Sequence, residues 1–218
     1  MKTALLFGSS GLIGGHLLNQ LIKNDYYDKI KIFVRSVPEI NDPKVEIIKT
    51  DFNNLENHRE DIKGDDCFFC IGTTRQNSPD KNDYRRVELD IPKEIAQIAK
   101  SNSINSFVFV SSGYADPKSS GDYLKFKGQV EEELKRLNFT KLGIMRPSFL
   151  MGNRKEKRIG EKIGILVFKL LSPLLLGPLK KMKPINSEIV AKAMIKAANE
   201  NLEINTFESN EIVELVLN

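Results

Sequence analysis

The chain has 218 residues, 40% hydrophobic and 28% charged, with a net charge of +4; this balance excludes a disordered chain and predicts one globular domain, residues 1–218. The first apolar run, Ala4 to Phe7, is only four residues long, which predicts a buried strand rather than a secretion signal. No run of 18 uncharged apolar residues occurs, so no transmembrane helix is predicted. With two cysteines and no disulfide framework, a cytoplasmic location is expected.

Short apolar runs alternate with longer amphipathic stretches along most of the chain. The predicted strands are 3–8, 29–35, 45–50, 66–74, 106–112 and 142–148. The predicted helices are 11–24, 83–102, 123–138 and 187–201, with a kink expected at Pro92. After residue 201, a short "INTFE" and a terminal "SNEIVELVLN" are less regular. Strands separated by helices predict an α/β fold with a doubly wound parallel sheet and helices on both faces.

Three glycines lie between the first predicted strand and the first predicted helix, in "FGSSGLIGG". Gly8 permits a tight turn, Gly11 allows backbone N–H groups to approach a pyrophosphate, and Gly14 allows close packing of helix on sheet. The N-terminus of the helix favours the phosphate charge. This context predicts a dinucleotide site, and a purely structural turn is the alternative.

The end of the second strand distinguishes the two nicotinamide dinucleotides. A site that prefers NAD usually has an Asp or Glu there for the ribose 2′-hydroxyl, whereas this chain has Arg35 and Ser36. A guanidinium suits a 2′-phosphate, so NADP(H) is predicted as the preferred cofactor, with NAD(H) as the alternative. After the third strand, Asp51 and Phe52 are candidates to frame the adenine, although "TDFNN" also fits a simple turn.

The two cysteines form a Cys-x-x-Cys, Cys67 and Cys70, within the predicted strand 66–74. Residues three apart on a strand face opposite sides, so the thiols are expected to point away from each other. No second pair of ligands is near enough for a zinc site. The sequence therefore predicts core cysteines and no metal site.

The pattern Tyr-x-x-x-Lys puts a phenol and a cation one helical turn apart, and it occurs three times: Tyr27/Lys31, Tyr114/Lys118 and Tyr123/Lys127. The first pair precedes the second strand, far from the carboxyl edge where such sheets bind ligands. The second is interrupted by Pro117, which disfavours a helix. The third opens a helix after the strand that carries Ser111 and Ser112 to the carboxyl edge.

Reduction of a carbonyl group needs a hydride and a proton. The ordinary pKa of tyrosine is about 10, so a nearby cation is needed to bring the phenolate within reach. We therefore predict Tyr123 as the proton donor, Lys127 as its cation and as a holder of the nicotinamide ribose, and Ser112 as the group that positions the carbonyl oxygen. An ordinary solvated helix surface is the alternative.

Together, the glycine motif, the serines at a strand end and Tyr123/Lys127 resemble the short-chain dehydrogenase/reductase superfamily. The segments "FCIGTTR", "SSGYADPKSSGDYLKFKGQVEEEL" and "MRPSFLMGNRKEKRIGE" resemble its atypical branch, typified by the Tat-interacting-protein oxidoreductase, over about residues 3–200. The resemblance implies a Rossmann-like NADP(H)-binding fold, with Tyr123 as proton donor and acceptor and Lys127 as its partner.

The same resemblance implies a wider set of cofactor contacts. It places the pyrophosphate on Ser10, Gly11, Leu12 and Ile13, the 2′-phosphate on Arg35, the body of the cofactor along Ile71 and Gly72, and the nicotinamide side against Leu150 and Arg158. Two features depart from the family pattern: Ser36 stands where the branch often has a second arginine, and no asparagine of the superfamily's proton relay can be placed.

After the sixth strand, residues 150–186 are predicted to form a small substrate lid. Within it, residues 154–183 carry nine Lys or Arg and two Glu, a net +7. Three interpretations remain open: an amphipathic lid packed on the domain, an apolar mouth for a hydrophobic or acyl substrate, and a surface that contacts an anionic membrane or a partner subunit. A local basic segment of this kind does not indicate a general nucleic-acid binder.

The sequence favours a cytoplasmic NADPH-dependent oxidoreductase that reduces a small or hydrophobic carbonyl compound, as a monomer or homodimer. The alternative from another class is a non-catalytic NADPH-binding regulator that acts through a protein partner. A third interpretation is a structural domain with a vestigial glycine loop. A sugar-nucleotide epimerase is disfavoured, because such relatives devote a larger C-terminal region to the sugar nucleotide.

Overall fold

The computed structural model describes residues 2–151, 183–202 and 204–217. The strands within them are β1 (Lys2–Phe7), β2 (Tyr27–Val34), β3 (Val45–Lys49), β4 (Asp66–Phe69), β5 (Ser106–Val110), β6 (Lys141–Arg146), β7 (Leu150–Met151), β8 (Ile185–Asn186) and β9 (Thr206–Glu208). Seven of these strands form one parallel sheet with the order β3-β2-β1-β4-β5-β6-β9. A short parallel pair, β7 with β8, lies apart from this sheet.

Helices connect most of the strands. They are α1 (Leu12–Ile22), a 3₁₀ turn (Leu55–His58), α2 (Lys81–Arg85), a π-helical turn (Arg86–Asp90), α3 (Ile91–Ser101), α4 (Asp122–Leu137), α5 (Ser187–Asn199) and α6 (Ser209–Leu217). No helix in these described ranges is long and apolar enough to cross a membrane.

Hydrophobic cores cover both faces of the sheet. Alternate residues of β1 enter different cores: Ala4 and Leu6 pack on the face covered by α1 and α5, and Leu5 and Phe7 pack on the face covered by α3 and α4. Burial on both faces explains why the strands are continuous apolar runs rather than alternating ones. The predicted doubly wound α/β fold with helices on both faces is confirmed.

The strand order reverses between β1 and β4, because β1 leads to β2 on one side while β4 leads to β5 on the other. In such sheets, ligands bind outside the carboxyl ends of the strands at this reversal. Its position is fixed by aromatic packing: the ring of Phe7 stacks on Phe33 at 4.3 Å and lies 6.0 Å from Phe69.

Several predicted boundaries were wrong, and two have clear physical causes. The fourth strand was predicted to run to residue 74 but ends at Phe69. Its last link to β1 is the N–H of Cys70, which donates to Phe7 O at 2.8 Å. Beyond this point Gly8 turns away at φ +93°, so the segment after Cys70 has no strand beside it to pair with.

The helix predicted for 83–102 begins at Lys81, because the Asp80 side chain accepts from the N–H groups of Asn82 and Asp83 and caps it. The kink expected at Pro92 takes the form of the π-helical turn just before it. Proline has no N–H, and its ring crowds the carbonyl four residues earlier, which is that of Glu88. The helix therefore widens at Glu88.

The cysteine prediction agrees with the structure. Cys67 is buried in the core on the α3/α4 side, and Cys70 packs against the core on the opposite side. Burial raises the pKa of both thiols, that of Cys70 to about 12. No metal-ligand cluster was found in the part of the chain that the structure describes.

Of the lid predicted for 150–186, only 150–151 and 183–186 belong to the described residues. The basic segment up to residue 182, including Arg158, lies outside them. Leu150 is half-buried in β7 and pairs with Ile185.

Candidate functional site

The glycine loop joins β1 to α1 at the reversal point of the sheet. Gly8 has a φ of +93°, and a Cβ there would lie 2.8 Å from the carbonyl carbon of Cys70. A Cβ on Gly14 would overlap the carbonyl oxygen of Gly8 and lie 2.8 Å from its carbonyl carbon. Glycine is therefore required at both positions, one for backbone conformation and one for close packing of α1 on the loop.

The N-terminus of α1 is open to an anion. Gly11 is the N-cap residue and has no side chain to bond the first N–H groups of the helix, and no acidic residue lies in the first turn. Ser10 is exposed and Leu12 is half-buried, whereas the side chain of Ile13 is part of the core. Leu12 and Ile13 can therefore offer a phosphate only their backbone N–H groups.

Arg35 and Ser36 are exposed immediately past the end of β2. Among the residues that the structure describes, no ion pair holds the Arg35 guanidinium. Its position places a cation at the exposed carboxyl edge.

Asp51 and Phe52 follow β3 at the same edge. The Asp51 carboxylate accepts from the backbone N–H of Asn53 at 2.9 Å and from its side chain at 3.0 Å, and these bonds hold the pKa of Asp51 below its ordinary value. Phe52 has a positive φ of 63°, and its side chain is buried in the core. Only its backbone is thus positioned to border a ligand.

Tyr123 and Lys127 occupy the first turn of α4 and the turn after it. Tyr123 is 40% exposed, whereas Lys127 is only 3% exposed. The Lys127 ammonium lies 5.9 Å from the centre of the Tyr123 ring and 4.9 Å from that of Phe109. A solvent-accessible phenol thus lies beside a buried cation at the carboxyl edge.

The two serines after β5 differ in their contacts. The Ser111 hydroxyl is buried and donates to Glu131 Oε1 at 2.5 Å. Glu131 also accepts from Arg146 Nε at 2.9 Å, which fastens α4 to β6 and leaves Ser111 committed to that network. Ser112 is half-buried and donates only a long 3.3 Å bond to Gly113 O, so its hydroxyl is the more available of the two.

Sequence reasoning missed a buried carboxylate next to Lys127. Glu88 is 1% exposed in the π-helical turn, and its Oε2 lies 3.0 Å from Lys127 Nζ. Its Oε1 accepts from the backbone N–H of Thr73 at 2.5 Å, beside the predicted cofactor positions Ile71 and Gly72. The expected kink at Pro92 was the one signal that could have pointed to this residue.

A second missed group lies beside Tyr123 on the exposed side. Arg75 forms an ion pair with Asp122, and its guanidinium stacks 4.2 Å above the ring of Tyr84. These contacts join the loop after β4 to the start of α4, next to Tyr123.

The other Tyr-x-x-x-Lys pairs lie elsewhere. Tyr27 is the first residue of β2, rather than in the preceding loop as predicted, and its hydroxyl donates to Asp66 Oδ2 at 2.8 Å at the opposite edge of the sheet. Tyr114 is exposed in a turn with a φ of +66°.

Comparison with known proteins gives the family. A family model described as NAD(P)H-binding matches residues 8–201, which include the glycine loop and most of the chain. The chain belongs to this NAD(P)H-binding family. Two relatives confirm the atypical short-chain dehydrogenase/reductase branch within it.

"Protein FMP52, mitochondrial" of Candida glabrata is 30% identical to this NAD(P)H-binding protein over 233 residues, covering 100% of this chain and 97% of that protein. Protein HTATIP2 of Rattus norvegicus is 31% identical, covering 73% of this chain and 67% of that protein.

These relatives also correct one prediction. A cytoplasmic location was expected from the cysteine content, but the FMP52 relatives of Candida glabrata, Scheffersomyces stipitis and Debaryomyces hansenii are all named as mitochondrial. This finding contradicts the cytoplasmic prediction, which is wrong. A low cysteine content indicates only that the chain has no disulfide framework. Mitochondrial proteins can also lack one, so this feature does not distinguish the two locations.

Solved structures confirm the Rossmann-like fold. WbmH of Bordetella bronchiseptica, solved with NAD+, has a TM-score of 0.73 at 15% identity, covering 95% of this chain and 75% of that one. The UDP-glucose 4-epimerase of Thermotoga maritima has a TM-score of 0.71 at 14% identity, covering 98% and 81%. At these identities the likeness of the NAD(P)H-binding protein to them is one of fold.

Proposed function

We propose that this protein is an NADP(H)-dependent oxidoreductase that reduces a small or hydrophobic carbonyl compound. The observation that carries the proposal is the exposed Tyr123 phenol beside the buried Lys127 ammonium, on the same sheet edge as the glycine loop. An ordinary solvated helix surface would have no reason to bury a lysine to 3% exposure, because burying an ammonium is costly without compensation.

The residues present fit a dinucleotide. The uncapped N–H groups at the start of α1 suit the pyrophosphate, and Gly8, Gly11 and Gly14 allow the backbone to approach it. The exposed Arg35 guanidinium, with Ser36, suits a 2′-phosphate, and Asp51 and the backbone of Phe52 suit the adenine. Ile71, Gly72 and Leu150 would flank the nicotinamide half, together with Arg158, which lies outside the described residues.

The chemistry assigned to the chain is proton transfer and orientation. When bound, the nicotinamide supplies a hydride to the carbonyl carbon, and the cofactor is oxidised. Tyr123 donates its phenolic proton to the carbonyl oxygen, which completes the alcohol, and it is reprotonated from solvent because 40% of its surface is exposed. Lys127 stabilises the phenolate that forms, and the Ser112 hydroxyl donates a hydrogen bond that holds the oxygen in place.

Substitution of Tyr123 by Phe tests this proposal. We expect the variant to lose about 10²- to 10⁴-fold in kcat on a panel of aldehydes, ketones and quinones, because the proton donor is removed. Its affinity for NADPH should change little. NADPH oxidation followed by absorbance gives the rates, and calorimetric titration gives the affinity.

Tyr26→Phe is a matched control, because Tyr26 is an exposed tyrosine (59%) next to the opposite edge of the sheet. Equal turnover by wild type and the Tyr123→Phe variant would contradict the assignment. Tight NADPH binding with no turnover on any carbonyl would overturn the reductase and favour the NADPH-binding regulator.

A further inference from the structure

Glu88 is a buried carboxylate in an unusual stretch of helix. It lies in the π-helical turn Arg86–Asp90, is 1% exposed, and belongs to the carboxyl edge where Gly72 and Lys127 also lie. Turns of this kind are rare and are found frequently at functional sites. Here the turn moves one carboxylate into the interior between the loop after β4 and helix α4.

The two oxygens of Glu88 have different partners. Oε2 forms an ion pair with Lys127 Nζ at 3.0 Å, and the two side chains are 0% and 4% exposed. Oε1 accepts from the Thr73 N–H at 2.5 Å. A Cβ on Gly72 would come within 3.3 Å of Oε1 and 4.0 Å of Lys127 Nζ, so these three residues are in close contact.

Lys127 has an anionic neighbour and a phenol close to its ammonium. Its Nζ lies 3.0 Å from Glu88 Oε2, an oxygen that accepts no hydrogen bond from the described residues, and it donates to the Val110 carbonyl oxygen at 3.4 Å. The centre of the Tyr123 ring lies 5.9 Å from the same Nζ. Glu88 and Tyr123 are therefore both close to one buried ammonium.

We propose, resting on the function proposed above, that Glu88 is a positioning residue whose carboxylate orients the Lys127 ammonium toward the nicotinamide ribose and Tyr123 and balances its charge. Glu88 touches neither substrate nor cofactor and acts through Lys127.

Stability alone does not explain this ion pair. A buried ion pair is often no more stabilising than apolar residues of similar volume, because both charges lose their hydration. The loop after β4 could be fastened by a single neutral acceptor for the Thr73 N–H. A carboxylate is needed only if Lys127 must remain a cation in the interior.

The charged neighbours of this pair predict a pH effect. Burial by itself lowers the pKa of Lys127, but its neighbours, with Glu88 foremost and then Tyr123 and Cys70, more than offset this, and the pKa is raised overall. Glu88 also faces Tyr84. Burial raises the pKa of Cys70 and that of Tyr84 to about 12, so both are neutral near pH 7, and among the described residues Glu88 is the carboxylate paired with Lys127.

The test is Glu88→Gln, which keeps an oxygen acceptor for Thr73 and removes the charge. We expect the alkaline limb of the pH–kcat profile for carbonyl reduction to move to lower pH by about one unit or more. Without Glu88 the buried Lys127 loses its proton more easily, and a neutral lysine no longer provides the positive charge that the proton transfer needs. The rate therefore falls on the alkaline side, about tenfold for each unit by which the limb moves.

Two further variants make the test specific. Glu88→Asp keeps the negative charge but moves it away from Lys127 by the length of one methylene group. Its alkaline limb should therefore lie between those of wild type and Glu88→Gln. If Glu88→Gln does not fold, Glu88→Asp alone serves as the test. Asp66→Asn removes a buried carboxylate at the opposite edge, and its limb should match wild type. If Glu88→Gln folds and its alkaline limb lies at the same pH as that of wild type, the proposal is wrong and Glu88 only holds the loop at Thr73. If Glu88→Gln does not fold, the same result for Glu88→Asp would overturn the proposal.

NADPH affinity separates this proposal from the function on which it rests. If wild type turns over no carbonyl, the reductase fails, and the Glu88 proposal is then judged on the dissociation constant of NADPH from pH 7 to 10. The Glu88→Gln variant should lose about three- to tenfold in affinity relative to wild type at the alkaline end, because Lys127 donates to the ribose less strongly when neutral. Parallel curves for the two proteins would overturn it.

Discussion

Arg35 illustrates how a single residue can decide cofactor choice. It follows β2, is exposed, and has no ion-pair partner among the residues that the structure describes. A charge-assisted bond from a guanidinium to a 2′-phosphate contributes about 1.5–3 kcal/mol, whereas a ribose 2′-hydroxyl gains little from it. We therefore expect Arg35 to favour NADPH over NADH by about tenfold or more.

Sequence patterns predicted the positions of some candidate residues and missed others for a physical reason. Tyr123, Lys127 and Ser112 could be placed because each lies at a recognisable helix start or strand end. Glu88 could not, because its partner Lys127 is 39 residues away and only the folded chain brings them together. Ser112 was chosen over Ser111 from the sequence without knowledge of the Glu131–Arg146 network, which engages only the Ser111 hydroxyl among the described residues.

At the scale of elements, the junction of β1 and α1 is the most constrained part of the described chain. Its glycines are adjacent in sequence but not equivalent: Gly14 packs on the backbone of Gly8, while a Cβ on Gly15 would meet Ser9 O at an ordinary 3.6 Å. The sequence predicted close packing at Gly14 and made no prediction for Gly15.

Alanine substitutions at these two positions form a matched pair. We expect Gly14→Ala to destabilise the protein by about 1–3 kcal/mol and to abolish NADPH binding, because α1 must move away from the loop. Gly15→Ala should bind NADPH normally and gain up to about 1 kcal/mol from helix propensity. Urea unfolding and calorimetric titration measure both effects, and equal behaviour of the two variants would contradict the packing account.

Element boundaries were harder to predict than the elements themselves. Strand β4 looked longer in sequence because "IGTT" continues its apolar character, but a strand needs a partner, and Gly8 removes it. The reverse happened at Tyr27, where a buried hydrogen bond to Asp66 extends β2 by two residues beyond the predicted start at 29.

On the scale of the whole molecule, the two edges of the sheet differ. The carboxyl edge carries the residues that we propose bind the cofactor and substrate. The opposite edge is fastened by Asp66, whose Oδ2 accepts from Tyr27 at 2.8 Å and from Lys2 at 3.0 Å, joining β1, β2 and β4. Asn199 of α5 donates to the Tyr27 hydroxyl and ties that helix to the same point.

This opposite edge predicts a pH dependence of stability. Burial raises the pKa of Asp66 above its ordinary value, despite the hydrogen bonds from Tyr27 and Lys2 that lower it. The folded state thus holds this proton more tightly than the unfolded state. The contribution of Asp66 to stability is therefore greatest below its ordinary pKa near 4 and is lost as the pH rises through its folded-state pKa.

Asp66→Asn isolates this contribution, because its amide nitrogen can replace Oδ1, which has no hydrogen-bond partner among the described residues. The free energy of unfolding of wild type minus that of the variant should fall as the pH rises from about 4 to 7. Urea denaturation at several pH values measures it. If the difference in free energy of unfolding stays constant or grows over this pH range, the predicted contribution of Asp66 to stability is wrong.

The architecture as a whole was predictable because it follows from the alternation of strands and helices along the chain. Apolar runs buried on both faces and separated by helices permit few arrangements other than a parallel sheet. Charge and hydrophobicity in residues 154–183 permit several arrangements, so the proposed lid remains a prediction. The location in the cell was predicted wrongly, because amino-acid composition does not determine to which compartment a protein is targeted.

Calorimetric titration of the wild-type protein and Arg35→Ala with NADPH and NADH tests the central claim, an NADP(H) site at the carboxyl edge. Lys29→Ala, which removes an exposed cation near the other end of β2, is the control. We predict one cofactor per chain, NADPH bound about tenfold or more tightly than NADH by wild type and by Lys29→Ala, and loss of that preference in Arg35→Ala. Binding of neither cofactor, or a preference for NADH in the wild type, would contradict it.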